Sequence, residues 1–292
     1  MYLGIDIASV DENKPVNWFE AKKAGVKFAI FRGTYSTWAD PTWQIEAVRA
    51  RMAGLIVGAY LFPVMGKTSP SAKEQIAAFV KSVGSLLPTD LVPTLDVEFP
   101  GGIAKTGKSR EELLAWVREA VVALRDAYKA YPMIYTSARV WDGEDTDSLD
   151  ADGLGIPTPE LLNCPLWLAR YPYARKINAQ DIPSIVDNLP TPPVPKAWGD
   201  ATNVWIHQYQ GDAIHLEGFS STVDLNRFFD LRLNCRSGER VKWLQRKLGV
   251  TNVDGVFGPK TDATLRVWQA SVGLVSDGIV GPSTFAMLCW KA

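Results

Sequence analysis

The chain has 292 residues, of which 47% are hydrophobic and 22% charged, and its formal net charge is -1. These values are typical of a globular protein with one large domain or two unequal ones, and they provide no basic surface for nucleic acid or an anionic membrane. No apolar stretch is long enough for a membrane span. Two histidines and three cysteines are too few for a multi-histidine metal centre, a Ser-His-Asp site or a disulfide framework.

The first 136 residues alternate between short β-type runs and amphipathic stretches. The N-terminal run MYLGIDIASV has no basic region and contains Asp6, so it predicts a strand rather than a signal peptide. We therefore expect a protein that works inside a cell or leaves it by another route. Five strands are predicted here, over residues 2–8, 27–32, 56–62, 92–98 and 133–136.

Four predicted helices lie between these strands, over residues 16–24, 42–53, 71–86 and 110–130. The last has apolar residues at the 3.6-residue spacing of an amphipathic helix. Ser109 followed by Glu112 offers this helix a capping box at its start.

After residue 136 the pattern changes to three strands, 166–169, 204–208 and 223–226, joined by long irregular connections. The connection NLPTPPVPKAWG is rich in proline, but we do not take it as a domain boundary, because the strands on both sides belong to one sheet. Eight strands, five of them alternating with helices, predict an α/β fold. We expect an irregular TIM-like (β/α)5(β)3 barrel over residues 1–232.

Residues 237–292 predict a small all-α helical module with an internal repeat. DGVFGPKT at 254–261 recurs as DGIVGPST at 277–284, and WLQ at 243–245 recurs as VWQ at 267–269. Each Asp-Gly predicts a tight turn and each Gly-Pro-x-Thr the start of a helix. A unit of this size is near the lower limit for independent folding. It is either a structural, dimerising cap or a module that targets a substrate.

Two carboxylates interrupt the apolar run PTLDVEFPGG at residues 93–102: Asp96 and Glu98. In a strand these two positions share a face. Three other acid-x-acid pairs lie in WDGEDTDSLDAD at 141–152, a turn-rich stretch that predicts a solvated loop. Because burying charge is costly, the pair is either a salt-bridged strand end or a catalytic pair.

A closed barrel would bring further acids to this pair. Active sites of such barrels lie at the C-terminal ends of the strands. Asp6 on the first strand, Asp96 and Glu98 on the fourth and Asp224 on the eighth would then converge, with the first and eighth strands adjacent. Clustering of titratable groups from three strands favours the catalytic interpretation.

Six segments in order along the chain resemble the glycoside hydrolase family 25 muramidases, the Chalaropsis-type lysozymes. They are GIDIAS (4–9), DPTW (40–43), VGAYLF (57–62), PTLDVE (93–98), LWLARY (166–171) and VDLNRF (223–228). VKWLQRKLG and the repeated turns resemble the peptidoglycan-binding domain 1 module. As a whole the chain resembles a modular phage endolysin.

The resemblance implies a barrel of five βα units followed by three strands. The implied activity is hydrolysis, with retention, of the β-1,4 bond between N-acetylmuramic acid and N-acetylglucosamine. Glu98 would be the general acid, with Asp6, Asp96 and Asp224 completing an acidic floor, and crowding of like charges is a way to keep one of them protonated. Asp96 would either attack the sugar or orient the substrate's own N-acetyl group.

Aromatic side chains near the predicted strand ends could stack on sugar faces, although ordinary barrel packing explains any single one of them. Tyr60 and Tyr135 are the first candidates for substrate contacts. The remaining candidates are Phe62, Trp167, Tyr171, Tyr209 and the cationic Arg32.

The expected partner is bacterial peptidoglycan, with no cofactor or metal, no nucleic acid, no membrane insertion, and a monomeric chain. The protein would stay in the host cytoplasm until lysis and then act on the cell wall. We expect residues 237–292 to bind the wall through residues near the Asp-Gly turns, and a chain ending near Leu233 to remain active.

Two other functions are compatible with parts of the pattern. The acids could ligate a divalent cation in a phosphodiesterase-like barrel, although both histidines lie away from the acidic motifs. Alternatively, the chain could be a non-catalytic wall-binding or virion structural protein.

Overall fold

The computed structural model describes residues 2–11, 16–144, 152–172, 189, 192–199, 203–213, 216–235 and 238–291. Nine strands are present in this part of the chain. They are β1 Tyr2–Ile7, β2 Val26–Tyr35, β3 Trp38–Ala39, β4 Ile56–Phe62, β5 Thr94–Asp96, β6 Met133–Thr136, β7 Leu166–Ala169, β8 Val204–Ala213 and β9 Val223–Phe228.

Eight of the strands close into a barrel, which confirms the predicted fold class. The order is β1-β9-β8-β7-β6-β5-β4-β2, and pairing of β1 with β2 closes the ring. Every neighbouring pair of barrel strands that does not include β9 is parallel. Strand β9 is antiparallel to both of its neighbours, β8 and β1. The extra strand β3 forms a short hairpin with the end of β2 beyond the barrel.

Five helices alternate with the first strands: α1 Trp18–Lys23, α2 Trp43–Met52, α3 Ala72–Val83, α4 Arg110–Tyr128 and α5 Ala138–Asp142. The predicted capping box of α4 is present, since Ser109 Oγ accepts from Glu112 N and the Glu112 carboxylate accepts from Ser109 N. Short 3-10 helices cover Ser9–Asp11, Ile103–Thr106, Leu161–Asn163 and Lys196–Trp198. No described helix is both long enough and apolar enough to cross a membrane.

The proline-rich connection belongs to the barrel, as far as it is described. Leu189, Ala197 and Trp198 are buried in the core between strands and helices. The backbone N–H groups of Lys196 and Ala197 donate to the carboxylate of Asp142 at the end of α5 (2.8 and 2.9 Å). The packing of this connection therefore agrees with the prediction that it is not a domain boundary.

The sequence predicts a solvated loop over residues 141–152. The first two residues of this stretch are instead buried in the structure. Trp141 and Asp142 end α5 and are fully buried. Trp141 Nε1 donates to Thr136 Oγ1 (2.9 Å), so both polar groups find partners inside the protein. Residues 145–151, which carry most of the remaining acids, lie outside the described residues.

The C-terminal region contains α6 Glu239–Leu248, α7 Pro259–Ser271 and α8 Pro282–Trp290. A buried glutamine organises each copy of its repeat. Gln245 Nε2 donates to Asp254 Oδ1 (2.8 Å) and Thr261 Oγ1 (3.3 Å), while its Oε1 accepts from Gly255 N (3.0 Å).

The second copy repeats these contacts around Gln269. Its Nε2 donates to Asp277 Oδ1 (3.0 Å) and Thr284 Oγ1 (3.1 Å), and its Oε1 accepts from Gly278 N (2.9 Å). The Asp and Thr side chains of both motifs thus hold the turn to the helix. The sequence predicts wall contacts near these turns, and the structure gives these side chains an internal role.

The helical region packs against the N-terminal end of the barrel strands, opposite the C-terminal ends of the parallel strands. Trp205 near the start of β8 contacts Trp243 and Phe285, with ring centroids 5.1 and 4.6 Å apart. Phe228 at the end of β9 lies 5.4 Å from Phe285. One apolar cluster therefore runs from the barrel interior into the helical region.

Polar contacts reinforce this junction. Leu231 and Val280 pair through two backbone hydrogen bonds (2.8 and 3.3 Å). Trp290 Nε1 donates to the carbonyl of Asp90 (2.8 Å), and Arg240 donates to the carbonyl of Phe229 (2.8 Å). The three cysteines of the chain are free.

Candidate active site

Asp6 and Asp224 lie opposite each other where the barrel closes. They are direct Cα partners in the β1–β9 pair. Asp224 is the second residue of β9, near the start of the strand, as the predicted strand 223–226 also places it. Because β9 runs antiparallel, its beginning reaches the same rim as the end of β1, and the two acids still meet.

Amide side chains support Asp6. Asn226 Nδ2 and Gln208 Nε2 both donate to Asp6 Oδ1, at 2.7 and 2.9 Å. Asn226 Oδ1 in turn accepts from Trp167 Nε1 (2.7 Å). Burial, followed by repulsion from Asp224, nevertheless raises the pKa of Asp6 well above its usual value.

Asp224 is fixed from two sides. Its Oδ1 accepts from the backbone N–H of Asp212 (2.8 Å) and its Oδ2 from Gln208 Nε2 (3.2 Å). Burial raises the pKa of Asp224 to about 6, and the charges of Asp11, Asp212 and Glu98 add to this effect. This carboxyl therefore titrates close to neutral pH.

Asp96 is the last residue of β5, and Glu98 lies two residues beyond it. The strand is thus shorter than the predicted 92–98, and Glu98 sits in the following loop. Asp96 is 5% exposed, and its buried Oδ1 has no hydrogen-bond partner among the described residues. Burial, then the charges of Glu98 and Asp6, raise the pKa of Asp96 well above its usual value.

Glu98 is half-buried, and burial raises its pKa. It borders a cavity of about 990 Å³ between the loops that follow β5 and β6. The cavity is also lined by Gly101, Gly102, Ser137 and Arg139. The pKa is raised for all four acids, and Glu98 is the one among them that lines this cavity.

Three of the predicted aromatic contacts lie inside the barrel near the acids. Tyr135 and Trp167 pack edge to face with centroids 4.7 Å apart, and Tyr60 lies 6.5 Å from Trp167. Burial, with the charges of Asp6 and Asp96, raises the pKa of Tyr60 well above its usual value. Tyr60 is thus within electrostatic reach of the carboxyl groups.

Arg32 on β2 pairs in register with Tyr60 on β4, and Phe62 lies two residues farther along β4. Arg32 is buried and forms a salt bridge with Asp40 (3.1 Å). Burial opposes ionisation of Asp40, but hydrogen bonds from Ser9 and Thr42 outweigh it and hold the pKa of Asp40 below its usual value. The Arg32 cation is therefore already committed to an internal carboxylate.

The β2–β3 hairpin presents exposed aromatic faces. Tyr35 stacks on Phe62 with centroids 5.2 Å apart, and Tyr35 and Trp38 are 44% and 52% exposed. The guanidinium of Arg32 lies about 6 Å from both exposed rings (6.0 and 5.9 Å). Sequence reasoning does not single out Trp38, although its position just before DPTW is a usable signal.

Tyr209 does not share the surroundings of the other candidates. It follows Gln208 in β8, so its side chain lies on the opposite face of the strand. The ring is fully buried in the core between strands and helices, and it offers no face to a sugar. Tyr171, in contrast, is 47% exposed and its hydroxyl donates to Gln208 Oε1 (2.6 Å).

Sequence reasoning misses Gln208 and Asn226, which hold the acids in place. Asn226 belongs to VDLNRF, one of the six segments that carry the family resemblance, whereas Gln208 has no distinguishing local pattern. Among the described residues, no group of three or more His, Cys, Asp or Glu has an arrangement that could hold a metal ion.

A barrel whose rim gathers four carboxyl groups of different environment beside aromatic side chains has the features of a glycosidase. Residues 5–215 match the family model of the glycosyl hydrolases family 25. The chain belongs to this family. Residues 237–288 match the model of a peptidoglycan binding domain.

Individual proteins agree with this assignment. Lysozyme M1 of Streptomyces globisporus is 26% identical over 227 residues, covering 77% of this chain and 67% of the relative. The bacterial lysozyme of Streptomyces coelicolor has the same fold (TM-score 0.58, 23% identity, 78% of this chain and 91% of that chain). So does the catalytic domain of endolysin ply40 from bacteriophage P40 of Listeria monocytogenes (TM-score 0.53, 16% identity, 78% and 93%).

The protein is therefore a glycosidase of the lysozyme class that hydrolyses peptidoglycan. This assignment replaces the alternatives of a metal-dependent barrel hydrolase and a non-catalytic wall protein.

Changing Asp96 to Asn should stabilise the protein and inactivate it. The pKa of Asp96 is higher in the folded protein than in the unfolded chain, so ionisation of Asp96 lowers the free energy of unfolding. This loss of stability begins above the pKa of the unfolded chain and grows until the pH passes the pKa of the folded protein. We expect a gain of about 1–3 kcal/mol at neutral pH that vanishes near pH 4, with peptidoglycan cleavage reduced at least ~100-fold.

Thermal unfolding between pH 4 and 8 measures the first effect and release of reducing ends the second. Asp126→Asn, an exposed position on α4, is the control and should change neither. A stability difference that is the same at every pH would contradict a charge-based explanation.

Proposed function

We propose that the chain is an N-acetylmuramidase that cleaves the β-1,4 bond between N-acetylmuramic acid and N-acetylglucosamine with retention of configuration. The observation that carries this proposal is the position of Glu98 at the wall of the cavity, next to Asp96 in a group of four acids. Glu98 is half-buried with a raised pKa and borders the cavity, so it is suited to donate a proton to the leaving oxygen. Glycosidases need one such protonated carboxyl beside others that are ionised.

Asp96 is the proposed partner of the substrate's acetamide. Its Oδ1 is buried and lacks a hydrogen-bond donor among the described residues. A carboxylate at this position that accepts the N–H of the substrate's acetamide would orient the acetamide carbonyl oxygen toward the anomeric carbon. Direct attack by the Asp96 carboxylate is the other route to retention.

Aromatic rings around the acids are proposed to bind sugar. Tyr60, Tyr135 and Tyr171 lie at the acids or on Gln208, whereas Tyr35, Phe62 and Trp38 form an outer platform. Exposed rings of this kind stack on the apolar faces of sugars, and pairing of β2 with β3 places Tyr35 opposite Trp38. Arg32 is proposed to act behind the platform, through its contacts with Tyr35 and Trp38.

The division of labour is proposed as catalysis by residues 1–232 and wall binding by residues 237–292, in a monomeric chain. The match of residues 237–288 to a peptidoglycan binding domain supports the second role. A role as a phage endolysin, stored in the host cytoplasm until lysis, is part of the same proposal.

Mass spectrometry of digested peptidoglycan tests the proposal. Products with reducing ends on muramic acid are expected, and reducing ends on glucosamine would overturn the assignment of the cleaved bond. Digestion in methanol adds a test of stereochemistry, because retention predicts a methyl glycoside with the β configuration of the substrate.

A further inference from the structure

Gln208 on β8 uses every hydrogen-bonding position of its amide within the acidic site. Its Nε2 donates to Asp6 Oδ1 (2.9 Å) and Asp224 Oδ2 (3.2 Å). Its Oε1 accepts from the hydroxyls of Tyr135 (2.8 Å) and Tyr171 (2.6 Å). An amide has two donor hydrogens and two acceptor lone pairs, so Gln208 is saturated by four side chains from four segments of the chain.

The chemistry of these partners fixes the direction of each bond. The NH2 end of Gln208 faces Asp6 and Asp224, which is the orientation that ionised carboxylates require, because they only accept hydrogen bonds. The oxygen end must then face Tyr135 and Tyr171, whose hydroxyls donate to it. The opposite orientation of the amide would set its oxygen against the two carboxyl groups, and it would repel them once they are ionised.

The position matters because many acidic groups surround it. Asp6 and Asp224 face Gln208 directly. The charge of Asp11, after β1, raises the pKa of both of these acids, and the charge of Glu98 raises that of Asp224. The charges of Asp96 and Glu98 also raise the pKa of Tyr135. Burial and mutual repulsion favour protonation of Asp6 and Asp224. Hydrogen bonds from a neutral donor favour their ionised forms without adding a charge.

We propose that Gln208 is a positioning residue that holds the carboxyl groups of Asp6 and Asp224 together as one pair and shifts them toward their ionised forms, beside the proposed general acid Glu98. The role of this pair in catalysis rests on the proposed function. The hydrogen-bonded pair itself does not, because its titration can be followed without substrate.

Gln208→Met removes all four hydrogen bonds while keeping a side chain of similar length. The pKa values of Asp6 and Asp224 should then rise by about one unit. The reason is that the variant lacks the hydrogen bonds that stabilise the ionised carboxylates. The acidic limb of the rate profile on peptidoglycan should move upward by the same amount. Gln210→Met is the matched control, because the amide of Gln210 donates to the neighbouring Gly211 carbonyl and not to the acids.

Gln208→Glu is the second variant and predicts a distinct pH response. The introduced carboxyl can donate a hydrogen bond only while protonated, so activity should fall as pH rises and recover as pH falls. The aspartate titrations are measured by NMR on 13C-carboxyl-labelled protein, and rates are measured as release of reducing ends between pH 4 and 8.

A purely structural Gln208 would give a different pattern. Gln208→Met would then reduce activity by the same factor at every pH and leave the aspartate titrations unchanged, which would overturn the proposal. If this variant does not fold, an unchanged pH dependence in Gln208→Glu has the same meaning. A third outcome is possible, in which Gln208→Met shifts the titrations of Asp6 and Asp224 but the original protein does not release reducing ends on muramic acid. This outcome would support the role of Gln208 and contradict only the proposed reaction.

Discussion

Replacing Glu98 with Gln should reduce peptidoglycan cleavage at least ~100-fold, the usual scale for loss of a general acid. The amide keeps the shape of the side chain but cannot deliver a proton to the leaving oxygen. The melting temperature should be unchanged or higher, because burial already raises the pKa of Glu98 and its ionisation costs stability as pH rises through that pKa.

The measurement is the initial rate of reducing-end release, with thermal unfolding of the same samples. Glu119→Gln is the matched control, an exposed carboxylate on α4 whose contact with Lys73 is a surface ion pair. It should leave rate and stability within error of the original protein. A Glu98→Gln enzyme with a near-normal rate would remove Glu98 from the mechanism.

Removing the helical region after Leu233 should unfold or aggregate the barrel, rather than release an active catalytic domain. The modular pattern of the sequence predicts a truncated chain that still cleaves wall. The structure argues against that expectation, because Trp205 and Phe228 share one core with Phe285. Truncation would expose this apolar surface at the end of the barrel and also break the Leu231–Val280 pairing.

A point substitution tests the same idea in the full chain. Phe285→Ala should cost about 3–5 kcal/mol, the usual range for a buried phenylalanine, out of a total that is commonly about 5–15 kcal/mol. Val267→Ala is the control, since Val267 is 72% exposed on the adjacent helix α7. Denaturant unfolding followed by Trp fluorescence reports both changes. A soluble, cooperatively folding 1–233 fragment with full activity would show instead that the two regions are independent.

These two experiments also separate wall binding from folding. If Phe285→Ala loses stability but still sediments with peptidoglycan at low temperature, the wall-binding surface lies away from the junction. The surface opposite the barrel is then the place to search, because the Asp and Thr side chains of the repeat are held by Gln245 and Gln269.

Local patterns in the sequence determined the order of the barrel strands, the cap of α4 and the acids of the site. Strand alternation and helix periodicity arise from contacts a few residues apart, so they are written in short stretches. An acid in an apolar run is also a local anomaly, which is why the sequence alone points to Asp96 and Glu98. The strand boundaries were less well determined, as the short β5 and the long β8 illustrate.

Only the tertiary structure decided how these parts meet. Gln208 and Asn226 reach Asp6 across 202 and 220 residues of sequence, and an amide in a strand has no local feature that predicts such a partner. The antiparallel course of β9, which brings Asp224 to the rim from the start of its strand, likewise depends on its neighbours. The shared core between the barrel and the helical region also depends on contacts between distant parts of the chain. Trp205 is buried because Trp243 and Phe285, which are far away in sequence, cover it in the folded protein.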